Sequence, residues 1–198
     1  MASQAATDLI TYEEFLHAYE GAHAEWVSGH VVLMTPVSPR NQWIANFLVA
    51  ILQHVFDERG TGVVLSGPVQ MKCGDSAREP DVMVLRREHA DRVTDSHVEG
   101  PADLVVEVIS PDSRVRDRGE KFYEYEQAGV PEYWMIDPSR RKAEQYRLDA
   151  SGTYEPVPLG DPPRLRTELL EELWIDPAWL WSQPLPKLDA VLEEWGLR

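Results

Sequence analysis

A single cysteine, Cys73, stands in the whole chain. One thiol cannot close an intrachain disulfide, and it cannot supply a cysteine-built zinc site. Such usage suits a reducing compartment, and the cytoplasm is the expected location. No basic stretch followed by an apolar run opens the sequence, so no signal peptide is expected. No apolar stretch approaches the roughly 20 residues that a membrane-spanning helix needs, so no membrane partner is expected either. Positive charge is also scarce: 19 Lys and Arg face 34 Asp and Glu, a formal net charge of −15. Phosphate binding is carried by Lys and Arg. The balance therefore speaks against a broad nucleic-acid surface, although it says nothing about local fields.

What is present suffices for a core. Hydrophobic residues make up 43% of the 198 and charged residues 27%, as in a soluble globular protein. One domain over residues 1–198 is expected, with 1–8 flexible and 156–198 a loop and C-terminal extension packed on the body. Thr11 to Glu14 reads as a capping box opening a short helix that ends near Gly21. Trp26 to Met34 reads as two strand pieces around Ser28-Gly29, and Pro36 and Pro39 are expected to break the chain. From Asn41 to Glu58, Trp43, Ile44, Phe47, Leu48, Ile51, Leu52, Val55 and Phe56 repeat at helical spacing, which predicts one buried face. That face is packing and not a site.

Val63–Lys72 reads as a strand interrupted at Gly67-Pro68. Asp81–Leu85, Leu104–Ile109 and Tyr133–Ile136 are short apolar runs, as expected of strands buried on both faces. Ser113 to Ala128 reads as one helix closed by Gly129. Strand, helix, strand from Leu104 to Ile136 makes a βαβ unit with a parallel pair. Lys142–Leu148 reads as an outer strand, and the Trp- and Leu-rich tail as one or two short helices. Trp174, Trp179 and Trp181 would cover the core or serve an interface.

Two of these strands carry an acid where one is costly. Asp81 opens an apolar run, and Glu107 stands inside Val105-Val106-Glu107-Val108-Ile109. A carboxylate among Val and Ile calls for a partner or a cation. Two such acids on adjacent strands would repel, and a divalent ion relieves that repulsion. Oxygen ligands suit Mg2+ or Mn2+. A turn acid at Asp81 and a salt-bridged core acid at Glu107 would read the same way in sequence. Lys121 would point back at the acids from the following helix, or else pair with Asp117 on a solvated face.

Glu79-Pro80-Asp81, the run Ala102 to Pro111, the spaced Asp117, Lys121 and Tyr125, and Gly129 to Pro138 together resemble the Uma-two-type family of putative restriction endonucleases. The resemblance covers roughly residues 9 to 175. It implies an α/β restriction-endonuclease-like, PD-(D/E)xK core: a mixed central β-sheet flanked by α-helices, with an N-terminal helix and β-hairpin. It implies that Asp81 and Glu107 bind the metal. The usual lysine position holds Ile109, and Lys121 on the next helix stands in for it. Glu25 matches an N-terminal Glu-x-x-x-Gly element, and Asn41 occupies a place where family members often carry His. Gln70, Arg114 and Arg118 are candidates for holding substrate.

Arg114, Arg116, Arg118 and Lys121, with Arg86, Arg87 and Arg92, would form a basic rim around the acids. The expected activity is metal-dependent hydrolysis of DNA, with a homodimer as the expected partner state by analogy. Two alternatives stay open: a catalytically silent binding or assembly module on the same fold, and a hydrolase acting on RNA or nucleotides.

Overall fold

The computed structural model describes residues 9–110 and 114–198. The expectation for residues 1–8 and the helix start at Ser113 lie outside the described residues. Thr11 caps α1 (Tyr12–Ala18) with the full capping box, its hydroxyl taking the Glu14 N–H while Glu14 takes that of Thr11. The hairpin β1 (Ala24–Val27) and β2 (His30–Leu33) turns at Ser28 and Gly29, both at positive φ (49° and 83°), the conformation that a tight two-residue hairpin turn requires.

Helix α2 (Pro39–Arg59) begins earlier than the sequence pattern indicates. Pro39 is its first residue and not a breaker, because Ser38 caps the end and a first-turn proline has no intrahelical N–H to lose. Ile44, Phe47, Leu48, Ile51, Leu52, Val55 and Phe56 are buried as expected, but Trp43 is 59% exposed. It falls just outside the stripe that the core covers.

Strands β3 (Gly62–Ser66), β4 (Met71–Cys73), β5 (Ser76–Arg78) and β6 (Val82–Arg86) follow, then a 3-10 turn, β7 (Val98–Glu99) and β8 (Leu104–Val108). The predicted strand across Val63–Lys72 is in fact two strands in different sheets, β3 and β4. The single helix expected after β8 is likewise two, α3 (Arg114–Arg118) and α4 (Glu120–Ala128), separated at Gly119. Next come β9 (Glu132–Asp137), β10 (Lys142–Leu148), β11 (Tyr154–Pro156), a small hairpin β12 (Leu165–Arg166) and β13 (Trp174–Ile175), and helices α5 (Pro177–Trp181) and α6 (Leu188–Glu194).

The main sheet runs β11-β10-β9-β8-β6-β3. Only β8 and β9 are parallel, joined through α3 and α4 as the βαβ reading requires; the other pairs are antiparallel. β10 is not the outer strand, since β11 pairs along it. A second sheet, β2-β1-β5-β4-β7, extends the N-terminal hairpin.

Side chains of the central strands alternate between two cores, as period-2 geometry demands. Val82, Val84, Val106, Val108, Trp134 and Ile136 pack under α2 and the C-terminal extension. Met83, Leu85, Val105, Ile109, Tyr133 and Met135 pack on the other face with Tyr125 of α4 and Met71 of the small sheet. The tail tryptophans cover the core: Trp179 and Trp181 pack against the first cluster, and Trp174, Trp179 and Trp195 contact one another.

Candidate active site

Glu107 belongs to the α4 face of the main sheet, because Val105 and Ile109 at the same parity lie there. Asp81 shares that face with Met83 and Leu85. Val82 pairs with Val106, so Asp81 stands opposite Glu107 one step further along the antiparallel ladder. Such neighbours have Cβ atoms about 4.5–5.5 Å apart, within reach of a shared cation. Both acids line one cavity of about 240 Å3, together with His23, Asn41, Asp117 and Lys121.

Each acid is steadied by a protein donor. The Val108 N–H donates to Asp81 Oδ2 at 2.6 Å. Lys121 Nζ and the Tyr125 hydroxyl each donate to Glu107 Oε1 at 2.8 Å. Among the described residues, Asp81 Oδ1 and Glu107 Oε2 accept no hydrogen bond from the protein.

Lys121 is buried at 2% exposure, so the solvated pairing with Asp117 does not describe it. Its ammonium also lies 3.0 Å from Glu25 Oε1, and Glu25 is fully buried. Arg78 in turn donates to Glu25 Oε2 at 2.8 Å, and to Glu124 of α4 at 2.7 and 2.6 Å. The Glu79 N–H donates to Glu25 Oε1 at 3.1 Å. Burying ions costs several kcal/mol each unless they are paired and hydrogen-bonded, and this chain of alternating charges meets that condition.

The charges set the proton affinities. Burial pushes Glu107 up to about 8; Asp117 and Asp81 add to the rise while Lys121 opposes it. Burial likewise raises Asp81 to about 6, against the Val108 N–H and Lys121 and with help from Asp117 and Glu25. Burial acts the same way on Glu25, but Lys121 and Arg78 overcome it and hold its carboxyl down at about 2. Lys121 is raised despite burial, by Glu107, Glu25 and Asp117. The two acids facing the cavity thus resist ionisation, while the acid behind the lysine ionises readily.

Sequence reasoning passed over several residues. Arg78 carries no local signal. Glu79 stands in the Glu-Pro-Asp motif; its buried carboxyl is raised to about 7 by burial and Glu25. Its Oε2 lies 2.9 Å from His23 Nε2, out of line for a hydrogen bond. Asn41, which the sequence reading did single out, lines the cavity and donates from Nδ2 to the Val108 carbonyl at 3.0 Å.

Gln70 takes the Tyr12 hydroxyl at 3.0 Å and donates to the Ala24 carbonyl at 2.8 Å. It lines a second, adjoining cavity that also touches Asp81 and Glu79. Arg118 is turned to Glu144 on β10, which corrects its expected place at the acids. The side chain of Arg114 lies outside the described residues. Arg87 and Arg92 bond the Gly60 and Pro101 carbonyls, and of the expected basic rim Arg116 and Lys121 line the cavity. Other buried acids have structural partners: Asp103 takes the Arg86 N–H, and Glu132 takes the Thr167 hydroxyl and the Glu168 N–H.

The donor set fits a magnesium-type ion. Such ions keep several waters and are held by one or two carboxylates, and Asp81 and Glu107 each present one oxygen with no donor among the described residues. Among the described residues no group of three or more His, Cys, Asp or Glu is disposed to hold a metal ion, so an ion here would rest on two protein carboxylates and water.

Residues 12–178 match the Uma2 family, described as a putative restriction endonuclease. No curated protein matches. Among solved structures, the crystal structure of a putative nuclease of the DUF820 family from Anabaena variabilis superposes with a TM-score of 0.71. The identity is 18%, and the match covers 87% of this chain and 97% of that one. At that identity the likeness speaks for the fold, a restriction-endonuclease-like one. Among the described residues no helix is long and apolar enough to cross a membrane.

Proposed function

Because the chain belongs to the Uma2 family of putative restriction endonucleases, we propose that it hydrolyses phosphodiester bonds in DNA with Mg2+ or Mn2+ held by Asp81 and Glu107. One observation carries the reading: two acids with raised proton affinity face one cavity from adjacent strands, each with one oxygen that no group among the described residues satisfies. When bound, the ion supplies Lewis acidity toward a phosphate oxygen and toward water.

The chain's own groups do the rest. Val108 N–H and Tyr125 fix the two carboxylates in orientation. Lys121 places a buried positive charge beside the scissile position, where it steadies negative charge developing on phosphate. Glu25, itself gripped by Arg78, holds that ammonium in place, and with Glu107 and Asp117 it keeps it protonated. Pairing with a second copy to cut both strands belongs to the same proposal.

The test is plasmid cleavage with Mn2+, comparing the parent protein with Asp81→Ala, alongside calorimetric titration of the metal. Cleavage that falls by about 10²-fold or more with loss of metal binding is the expected result. Equal activity in both proteins sinks the mechanism.

A second reading has one specific observation behind it. The net charge is −15, and Arg78, Arg87, Arg92 and Arg118 all bond protein groups. That pattern suits a silent binding module, which would bind no metal at Asp81 and cleave neither DNA nor RNA.

A further inference from the structure

Next to the acid site lies a larger cavity of about 740 Å3, which shares His23, Pro36, Val37, Glu79 and Asp81 with it. Its size falls within the roughly 300–1,000 Å3 of clefts that take small organic ligands. Among the described residues no Lys or Arg lines it, whereas Glu20 and Asp95 do. A phosphate backbone would therefore be repelled from these walls. A flat, neutral ring with amino donors would not, since carboxylates and the Gln42 and Gln70 amides can accept from it.

A second, independent feature points to the same ligand. Tyr12, Phe15 and Tyr19 on one side of the N-terminal helix form a run of near-parallel rings, with centroids 6.0 and 5.5 Å apart and planes within 17° and 18°. Tyr12 and Phe15 are buried, while Tyr19 is only half-buried and, with Phe15, lines the cavity. A stacked run ending in a partly open ring is a platform on which a further flat ring can lie.

We propose that this cavity receives an unpaired nucleobase stacked on Tyr19, so that the site acts on single-stranded or locally unpaired nucleic acid. The proposal rests on the nuclease reading and narrows its substrate. A duplex could use the cavity only by extruding a base, which costs unstacking and unpairing.

The experiment follows binding of a single-stranded DNA oligonucleotide carrying 2-aminopurine, with Ca2+ present, to the parent protein and to Tyr19→Ala, Tyr19→Phe and Ala22→Trp. Tyr19 and Ala22 both line the cavity outside the buried core, and Ala22 is exposed. Binding should alter the fluorescence of the parent complex. Tyr19→Ala should weaken affinity about 5- to 150-fold, the range of one lost base stack. Tyr19→Phe should restore it, and Ala22→Trp should block the cavity and abolish the fluorescence change.

Equal binding by all four proteins overturns the proposal. So does binding of a Lys-rich peptide, sensitive to Tyr19→Ala, where the oligonucleotide does not bind. Mn2+ cleavage of single-stranded and duplex DNA in parallel separates the two levels. Cutting confined to duplex sinks the cavity assignment and leaves the nuclease reading standing. Failure to cut either strand form, with no metal bound, sinks the nuclease reading itself.

Discussion

Lys121 Nζ and Glu107 Oε1 meet at 2.8 Å, a lysine delivered from a helix to an acid on the preceding strand. Ile109, two residues after Glu107, is buried in the apolar core on the same face. The positive charge reaches the acid by way of α4, and the strand contributes only packing at that position.

Replacing Lys121 by Met should abolish cleavage and also cost stability. Removing one member of a buried ion pair typically costs about 3–5 kcal/mol, because the partner charge is left unpaired. Urea denaturation at pH 8 measures it. Combining Lys121→Met with Glu107→Gln should recover part of the loss, and no recovery would mean that the two side chains are not coupled.

Metal binding should depend on pH in a defined window. Asp81 at about 6 and Glu107 at about 8 must both shed protons to hold a divalent ion. Affinity for Mn2+, read by calorimetry, should therefore tighten from pH 5.5–6 to about 8 and level off above (window set by these two groups). A flat profile across it would count against these two ligands.

Stability of the metal-free protein should move the other way. A carboxyl raised in the folded state contributes its stability below its ordinary value, and that contribution is lost as pH rises through the folded value. For Asp81 and Glu107 the loss runs from the ordinary 3.8 and 4.5 up through about 6 and about 8. Glu25, held at about 2, has the opposite sign: its contribution is present above 4.5 and lost as pH falls toward 2. Thermal melts in EDTA should decline between pH 5 and 8, and saturating Mg2+ should remove the decline. Asp81→Asn should remove the part of that decline below about pH 6, leave the Glu107 part up to about 8, and lose the Mg2+ response.

Tyr125→Phe removes a buried donor to Glu107 without changing shape. Above pH 8, where Glu107 is ionised, a hydrogen bond to a charged group contributes about 1.5–3 kcal/mol, so denaturation at pH 9 should show a loss in that range. Metal affinity should weaken because the carboxylate is less firmly oriented. An unchanged midpoint would mean that the hydroxyl does not serve Glu107.

Much of the candidate site's geometry was legible because an acid inside an apolar strand is conspicuous. Asp81 and Glu107 could be read from two runs of Val, Leu and Ile, and Lys121 from the spaced motifs around them. The network behind them was not legible. Glu25 and Arg78 are 53 residues apart, and no local pattern tells that the N-terminal hairpin joins β5 in a second sheet. The periodic stripe of α2 overreached at Trp43, since spacing marks a face but not its width. Pro39 misled because proline stops a helix in its interior and starts one at its first turn. Gly119 splits a run that reads as one helix, because the pattern of Phe122, Tyr125 and Ala128 belongs to its second half alone.

Lys121 takes its two carboxylate partners from different layers, Glu107 from the main sheet and Glu25 from the small one. Arg78 of the small sheet grips Glu124 one turn along the same helix. The N-terminal region is therefore no detachable ornament. A version trimmed to begin after β2 would keep both cavity-facing acids yet strand an ammonium with half its carboxylate partners. Shortening the protein from that end would forfeit the arrangement of the cavity acids and the integrity of the fold together.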